Sequence, residues 1–318
     1  MLTRLIAIFI LLPGPIALAC GESEEGILPD LPAGVEAISL MGDTLRAMPA
    51  PPTVQRQREE ALREARAAFD RNPEDAGSII WLGRRLAYLG RYREAVRTYT
   101  AGIELHPDDA RLYRHRGHRF ITLRLLDRAV ADLTEATRLV MGQADEVEPD
   151  GQPNRLGIPL STLQFNIWYH LGLAHYLRGD FERAVSAYRQ CLEVSDNPDL
   201  LVATSYWLYM ALRRLGREGE ADEILRPIDA AMDIVENDSY HKLLLLNKGT
   251  ISADSLLAAM GSAGGLENAT LGYGIGNWHL YNGRSVEAKQ TFRRILRGSQ
   301  WAAFGYIAAE AELARVQI

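Results

Sequence analysis

Residues 76–109 read AGSIIWLGRRLAYLGRYREAVRTYTAGIELHPDD, and their spacing predicts two helices joined by a turn. Ile79, Leu82, Gly83 and Leu86 recur at three- and four-residue steps, the period of one helical face. After Gly90 and Arg91, a second stripe runs through Ala95, Tyr99, Gly102 and Ile103. Gly83 and Ala95 are small where two antiparallel helices would approach closely. Gly90 suits a left-handed helix end, and Pro107 stops the second helix.

Working outward from this stretch, the same residues return 34 positions later. Gly83 is followed by Gly117, Ala95 by Ala129, Pro73 by Pro107 and Tyr99 by Leu133. A fixed period of this size marks a stacked helical array. Between Ala129 and Ala184 the spacing is 55, one period plus 21. The excess falls on 144–164, where Asp145, Glu146, Glu148, Asp150, Gly151 and Pro153 predict an acidic inserted loop.

The third unit has Trp168, Leu171, Gly172, Gly179, Phe181, Ala184 and Tyr188 at fixed spacing. In these residues the chain resembles the tetratricopeptide repeat (TPR) family. The resemblance implies an all-α fold, a right-handed superhelical solenoid of antiparallel helix pairs. The expected organisation is N-terminal units over 53–143, beginning with a single Ala- and Arg-rich helix, the inserted loop, and C-terminal units over 165–318. A degenerate unit fills 236–268, and Trp301–Val316 reads as a final helix covering the last unit.

The first residues have a different character. Leu5–Leu12 is an apolar run broken by Pro13, too short to span a bilayer, where about 20 residues are needed. It reads as a signal peptide over 1–19 with a small-x-small cleavage site at Ala17 and Ala19. Cys20, directly after that site, resembles the modified cysteine of a bacterial lipoprotein. The only other cysteine, Cys191, occupies an interior helix position, so no disulfide is expected. Residues 20–52 carry six acids against one arginine and include Pro29, Pro32, Pro49, Pro51 and Pro52. They read as an extended tether with at most one short helix near 38–46. By resemblance to lipoproteins with Gly after the cysteine, the destination is the outer membrane, facing the periplasm.

The chain has 318 residues, 47% hydrophobic and 24% charged, which excludes a disordered or polytopic membrane protein. Its net charge of −6 argues against a nucleic-acid partner. No nucleophile elbow, phosphate loop, dinucleotide fingerprint or zinc-protease motif is present in the sequence. No cofactor, metal site or catalytic residue is therefore expected. Asp127 and Asp132 read as exposed-face acids. His115 and His118 sit among arginines that would repel a cation but suit an anion. His170 and His175 read as core residues.

In the TPR family the first helix of each pair lines a concave face. The resemblance places there Arg84, Tyr88, Arg111, Arg114, His118, Asn166, Tyr169, Tyr176, Tyr206, Met210, Arg213, Arg214, Tyr273, Asn277 and Tyr281. The first half of this lining is rich in arginine, and residues 53–140 hold 17 Arg against 13 acids. The second half is rich in tyrosine. Arginine forks and tyrosine rings suit an extended, acidic peptide or protein segment. The expected function is a non-enzymatic scaffold at the cell envelope. The alternative is a periplasmic small-ligand-binding or transport accessory protein, with 236–268 as a lid.

Overall fold

A computed structural model describes residues 26–149, 154–260 and 265–316. The signal peptide expected over 1–19 and the lipidation expected at Cys20 lie outside them. Leu31–Ile318 is one compact unit, divided from the residues before it at Asp30.

This unit is built from helices in antiparallel pairs. A first helix, α1 (Pro52–Arg71), stands alone. Four pairs follow: α2 (Ala76–Tyr88) with α3 (Tyr92–Leu105), α4 (Ala110–Thr122) with α5 (Leu126–Val140), α6 (Leu163–Arg178) with α7 (Phe181–Glu193), and α8 (Pro198–Arg214) with α9 (Glu218–Leu225). Two short helices, α10 (Asp238–Asn247) and α11 (Ala253–Met260), occupy the degenerate stretch. The pair α12 (Gly265–Tyr281) and α13 (Ser285–Leu296) precedes the last helix, α14 (Phe304–Val316).

Local chemistry starts each first helix in the same way. The side chains of Asp75, Asp109, Thr162 and Asn197 accept backbone N–H bonds at the starts of α2, α4, α6 and α8, satisfying donors that lack a partner within the helix. Packing then sets the 34-residue period. An added Cβ at Gly83 would lie 2.3 Å from the Tyr99 ring, at Gly117 2.8 Å from Leu133, at Gly172 2.7 Å from Tyr188, and at Gly276 2.3 Å from Phe292. Each glycine lets the large side chain of the second helix lie against the backbone of the first. Cys191 is buried in this packing beside Thr204, and burial pushes its thiol up to about 12.

Two expectations need correction. Residues 31–52 are not an extended tether, and no helix forms near 38–46. Strands β1 (Ala37–Ile38) and β2 (Thr44–Leu45) pair as a small antiparallel hairpin. Its turn is closed by Gly42 at φ +92° and by Ser39 Oγ, which accepts the N–H groups of Met41 and Asp43. The segment docks because Glu36 accepts the N–H of Arg93, Arg46 O accepts Trp301 Nε1–H, and Val35, Ala37 and Leu45 are buried. Charge and proline content describe this stretch poorly, since alternate apolar residues supply the buried face.

The second correction is Asp132. It is buried, with both carboxylate oxygens receiving the Arg116 guanidinium at 2.8 Å, whereas Asp127 is exposed and meets Arg178 at 2.9 Å.

The helices α2, α4, α6 and α8 adjoin one another in sequence, and so do α8, α10 and α12. Finally α14 packs on α12 and α13 and also touches α6. The second half of the array is thereby closed into a ring of α6, α8, α10, α12 and α14.

Gly172→Ala tests the packing rule. The added methyl has no room beside Tyr188, so we expect a loss of about 1–3 kcal/mol, read as a lower urea midpoint. An unchanged midpoint would mean that the helix pair can separate freely at this contact.

Candidate functional site

The concave face is largely filled by the chain itself. Of the residues expected to line an open groove, Tyr169, Tyr176, Tyr206, Met210, Tyr273 and Asn277 are buried, none more than 6% exposed. Arg114 and Asn166 are buried as well. Arg84, Tyr88, His118, Arg213, Arg214 and Tyr281 are half-buried, and Arg111 is exposed, paired with Asp109. Tyr169, Tyr176, Tyr273 and Tyr281 bond within the array, whereas the buried Tyr206 hydroxyl has no hydrogen-bond partner among the described residues. Trp207 Nε1 donates to Tyr169 Oη at 2.8 Å, the Tyr176 and Tyr273 hydroxyls bond to each other at 2.8 Å, and Tyr281 Oη donates to Met210 O at 3.3 Å.

At the arginine-rich end, the inserted loop supplies a carboxylate. Glu148 Oε2 lies 3.0 Å from Arg114 Nε and accepts Asn166 Nδ2–H at 3.2 Å. His115 Nε2 is 3.7 Å from the other oxygen. Arg114 Nη1 is 3.0 Å from His115 Nδ1. A guanidinium has only donors, so Nδ1 accepts and the neutral imidazole points its Nε2–H at Glu148. Arg84 reaches across to donate to Pro149 O at 2.8 Å.

At the tyrosine-rich end, α14 supplies two more carboxylates. Glu312 receives Arg214, Arg315 and the Tyr273 hydroxyl. Glu310 receives both Arg124 Nη2 at 2.7 Å and Arg124 Nε at 3.0 Å, and it also accepts the N–H of Leu40. Arg124 completes its bonds to Trp301 O and Thr122 O. Phe304, at the start of α14, sits against His118, His170 and Tyr169, with ring centroids 5.3, 5.7 and 6.4 Å away.

Arg124 escaped the sequence reading, yet a signal existed. It lies 34 residues after Gly90, at the turn where Gly90, Gly179, Gly216 and Gly283 all have positive φ. Arg124 takes the same left-handed conformation, φ +64°, as the only non-glycine to do so among the described residues. That conformation costs roughly 1 kcal/mol or more, offset by burying a bidentate ion pair that fastens α14.

Three imidazoles share the interior between these two ends. His115, His118 and His170 are all held well below the ordinary histidine range. Burial is the main cause, and Arg114 and Arg119 reinforce it. His170 uses Nδ1–H to reach Asn166 O at 2.5 Å. Held neutral, the three pack against aromatic rings and one another, His115 on Tyr99 and His118 on His170. Among the described residues, no group of three or more His, Cys, Asp or Glu could hold a metal ion. An open-sided cavity of about 540 Å³ adjoins them, lined by residues including His118, Glu236, Asp238, Tyr240, Glu267 and Phe304.

Two stretches of the helix array match a known repeat family. Profiles of the tetratricopeptide repeat match residues 80–144 and 165–198. Those two stretches carry tetratricopeptide repeats. A BBSome complex member of Bos taurus is 24% identical over 154 residues, 48% of this chain and 25% of the relative. The chain thus spans about a quarter of the length of that curated relative.

Among solved structures, YrrB, described as a TPR protein with an unusual peptide-binding site, is 15% identical with a TM-score of 0.42. The match covers 81% of this chain and 100% of that one. A tetratricopeptide repeat protein of Parabacteroides merdae is 15% identical with a TM-score of 0.45, covering 83% and 94%. A Rap conjugation gene regulator in complex with a Phr peptide is 17% identical with a TM-score of 0.46, covering 77% and 72%. These are likenesses of fold.

Removing one partner of the buried clamp should be severe. Glu310→Ala leaves Arg124 buried without its carboxylate, and we expect a loss of about 3–5 kcal/mol in urea unfolding. A loss below about 1 kcal/mol would show that α14 is held by its apolar contacts alone.

The histidines predict acid sensitivity. In the unfolded chain they take up protons near pH 6.5, whereas in the fold they remain neutral to lower pH. The contribution is complete above pH 6.5 and is lost as the pH falls, by up to about 1.4 kcal/mol per pH unit for each imidazole. The urea midpoint should therefore be lower at pH 5.5 than at pH 7.5. A midpoint that rises on acidification would contradict neutral, buried histidines.

Proposed function

We propose that this protein is a non-enzymatic scaffold that holds an acidic segment of a partner protein on its repeat array. The observation that carries this reading is the chemistry of the concave face. Arg114 and Arg214 on its inner helices and Arg124 in the turn after α4 each meet a carboxylate: Glu148, Glu312 and Glu310. A surface that receives three carboxylates of its own chain is suited to those of another. At the accessible end, Arg84 bonds to the Pro149 carbonyl and Arg111 to the adjacent Asp109. The partner would enter there.

The location is part of the proposal. An N-terminal signal, with Cys20 as its lipid-bearing residue, would place the scaffold at the bacterial outer membrane, facing the periplasm. No helix among the described residues is long and apolar enough to cross a membrane, so attachment would rest on the lipid.

The alternative, a small-ligand-binding or transport accessory protein, draws on the cavity of about 540 Å³ beside Tyr240 and Phe304. Its carboxylates favour a cationic ligand over the acidic segment proposed here, so the two readings differ in the charge of what is bound.

The test expresses the full-length chain with labelled palmitate, alongside Cys20→Ser and the double charge reversal Arg84→Glu, Arg111→Glu. Label should be present on the wild type and lost in Cys20→Ser. A co-purifying acidic partner should fall at least tenfold with the charge reversal, whose positions are not buried. Equal recovery of that partner with both arginines reversed would overturn the scaffold reading. Label that survives Cys20→Ser would overturn the lipid anchor.

A further inference from the structure

We propose that residues 143–149, the first part of the insertion, are a built-in plug, with Glu148 as a resident ligand that a partner's carboxylate must displace. This rests on the scaffold reading and adds a regulatory step to it.

The loop interrupts the 34-residue period and is not part of any helix pair. Its manner of contact resembles that of a bound peptide more than that of a core element. Every residue from Met141 to Val147 is exposed, as is Pro149, and Glu148 alone between them turns inward. The Glu148 side chain retains only 11% exposure and the Arg114 side chain 9%. The apolar residues of the insertion do the opposite of what folding requires, since Val147, Leu156 and Ile158 are each more than half exposed. Glu148 is thus the carboxylate that a segment with solvent-facing apolar residues turns towards the array.

The other restraints are hydrogen bonds, and no residue described in the insertion is buried. Arg84 donates to Pro149 O, Asn197 Nδ2 to Leu160 O, Asn166 Nδ2 to Ser161 Oγ, and Gln164 N–H to Asp145 Oδ1. Glu148 N–H reaches Ser161 O and Leu163 N–H reaches Glu146 O, pairing the two ends of the insertion with each other. Asn154 Nδ2 reaches Ile158 O and Glu236 Oε1. Segments held this way open at low free energy, independently of global unfolding.

The receiving site stays formed when the loop leaves. Arg114, His115 and Asn166 belong to α4 and α6, and Leu112, Phe120, Ile167 and Leu171 pack those helices into the core. Arg114 would be left buried beside neutral His115, with Arg84 and Arg119 adding positive potential. Such a site takes a carboxylate. While Glu148 is tethered nearby, its effective concentration is in the millimolar range, so a free ligand must compete against it.

The test uses a fluorescent peptide copying residues 143–149 and a control in which its second Glu, the one matching Glu148, is Gln. Binding is measured by anisotropy to the full-length chain in detergent, as wild type, Glu148→Gln and Glu148→Gln with Arg114→Gln. Glu148→Gln should bind the acidic peptide at least tenfold more tightly than wild type, and the Gln peptide should bind at least tenfold more weakly than the acidic one. Adding Arg114→Gln should abolish the gain. If the Arg114 variant does not fold, Glu148→Ala replaces it, and its affinity should match or exceed that of Glu148→Gln.

Equal affinity of wild type and Glu148→Gln would overturn the plug, as would equal binding of the two peptides. These outcomes do not depend on recovering a cellular partner. A working plug with no acidic partner would therefore separate failure of the scaffold reading from failure of this one.

Discussion

The ion pair between Arg124 and Glu310 is the constraint on which the closed form of the array depends. An open solenoid of helix pairs would expose the inner faces of α6, α8, α10 and α12, which carry some of the largest apolar and aromatic side chains in the chain. Closing that trough requires α14 to lie inside the curve. Its inner face carries Glu310 and Glu312 into a dry region, where an unpaired carboxylate would be prohibitive. Arg124, Arg214 and Arg315 remove that difficulty. Arg124 does so from a backbone conformation that the other repeats reserve for glycine. The same arginine bonds to Trp301 O, and the Trp301 indole bonds to the hairpin segment at Arg46. One residue thereby connects the second repeat, the last helix and the N-terminal segment.

Pairing Glu148, Glu310 and Glu312 with arginine changes how the concave face must be read. Counted as side chains, the face looks like an anion receptor lined with tyrosine. Counted as interactions, Tyr169, Tyr176, Tyr206 and Tyr273 are core residues, all but Tyr206 hydrogen-bonded, and the buried arginines already have carboxylates. What stays accessible is the end at Arg84 and Arg111 and the site behind Glu148. The accessible chemistry is thus narrower than the lining, and one loop controls entry to part of it.

The helix pairs were legible because small residues that recur at a fixed interval mark the points where two helices touch. Gly83, Gly117 and Gly172 face Tyr99, Leu133 and Tyr188, and both members of each contact recur with the period. The inserted acidic loop was equally visible as a break in that period. Three features were hidden. The hairpin at 37–45 has strands of two residues, too short to generate a pattern. Asp132 looked like a surface acid, because its partner Arg116 lies on the neighbouring helix 16 positions away. Arg124 was legible only as an exception, an arginine standing where the frame asks for glycine.

The sequence by itself determined the repeat helices, the pairing of adjacent helices and the place of the insertion. All of these follow from contacts within about one repeat length, where composition and spacing act directly. Which arginines are free was decided only by the tertiary structure. Arg124 and Glu310 are 186 residues apart, Arg214 and Glu312 98 apart, and nothing local announces either pair. Whether the array stays open or closes depends on the accumulated turn of five helix pairs, and a small rotation per pair sums to bring α14 against α6. That sum is a property of the whole chain, so the occupant of the concave face could be read only from the folded molecule.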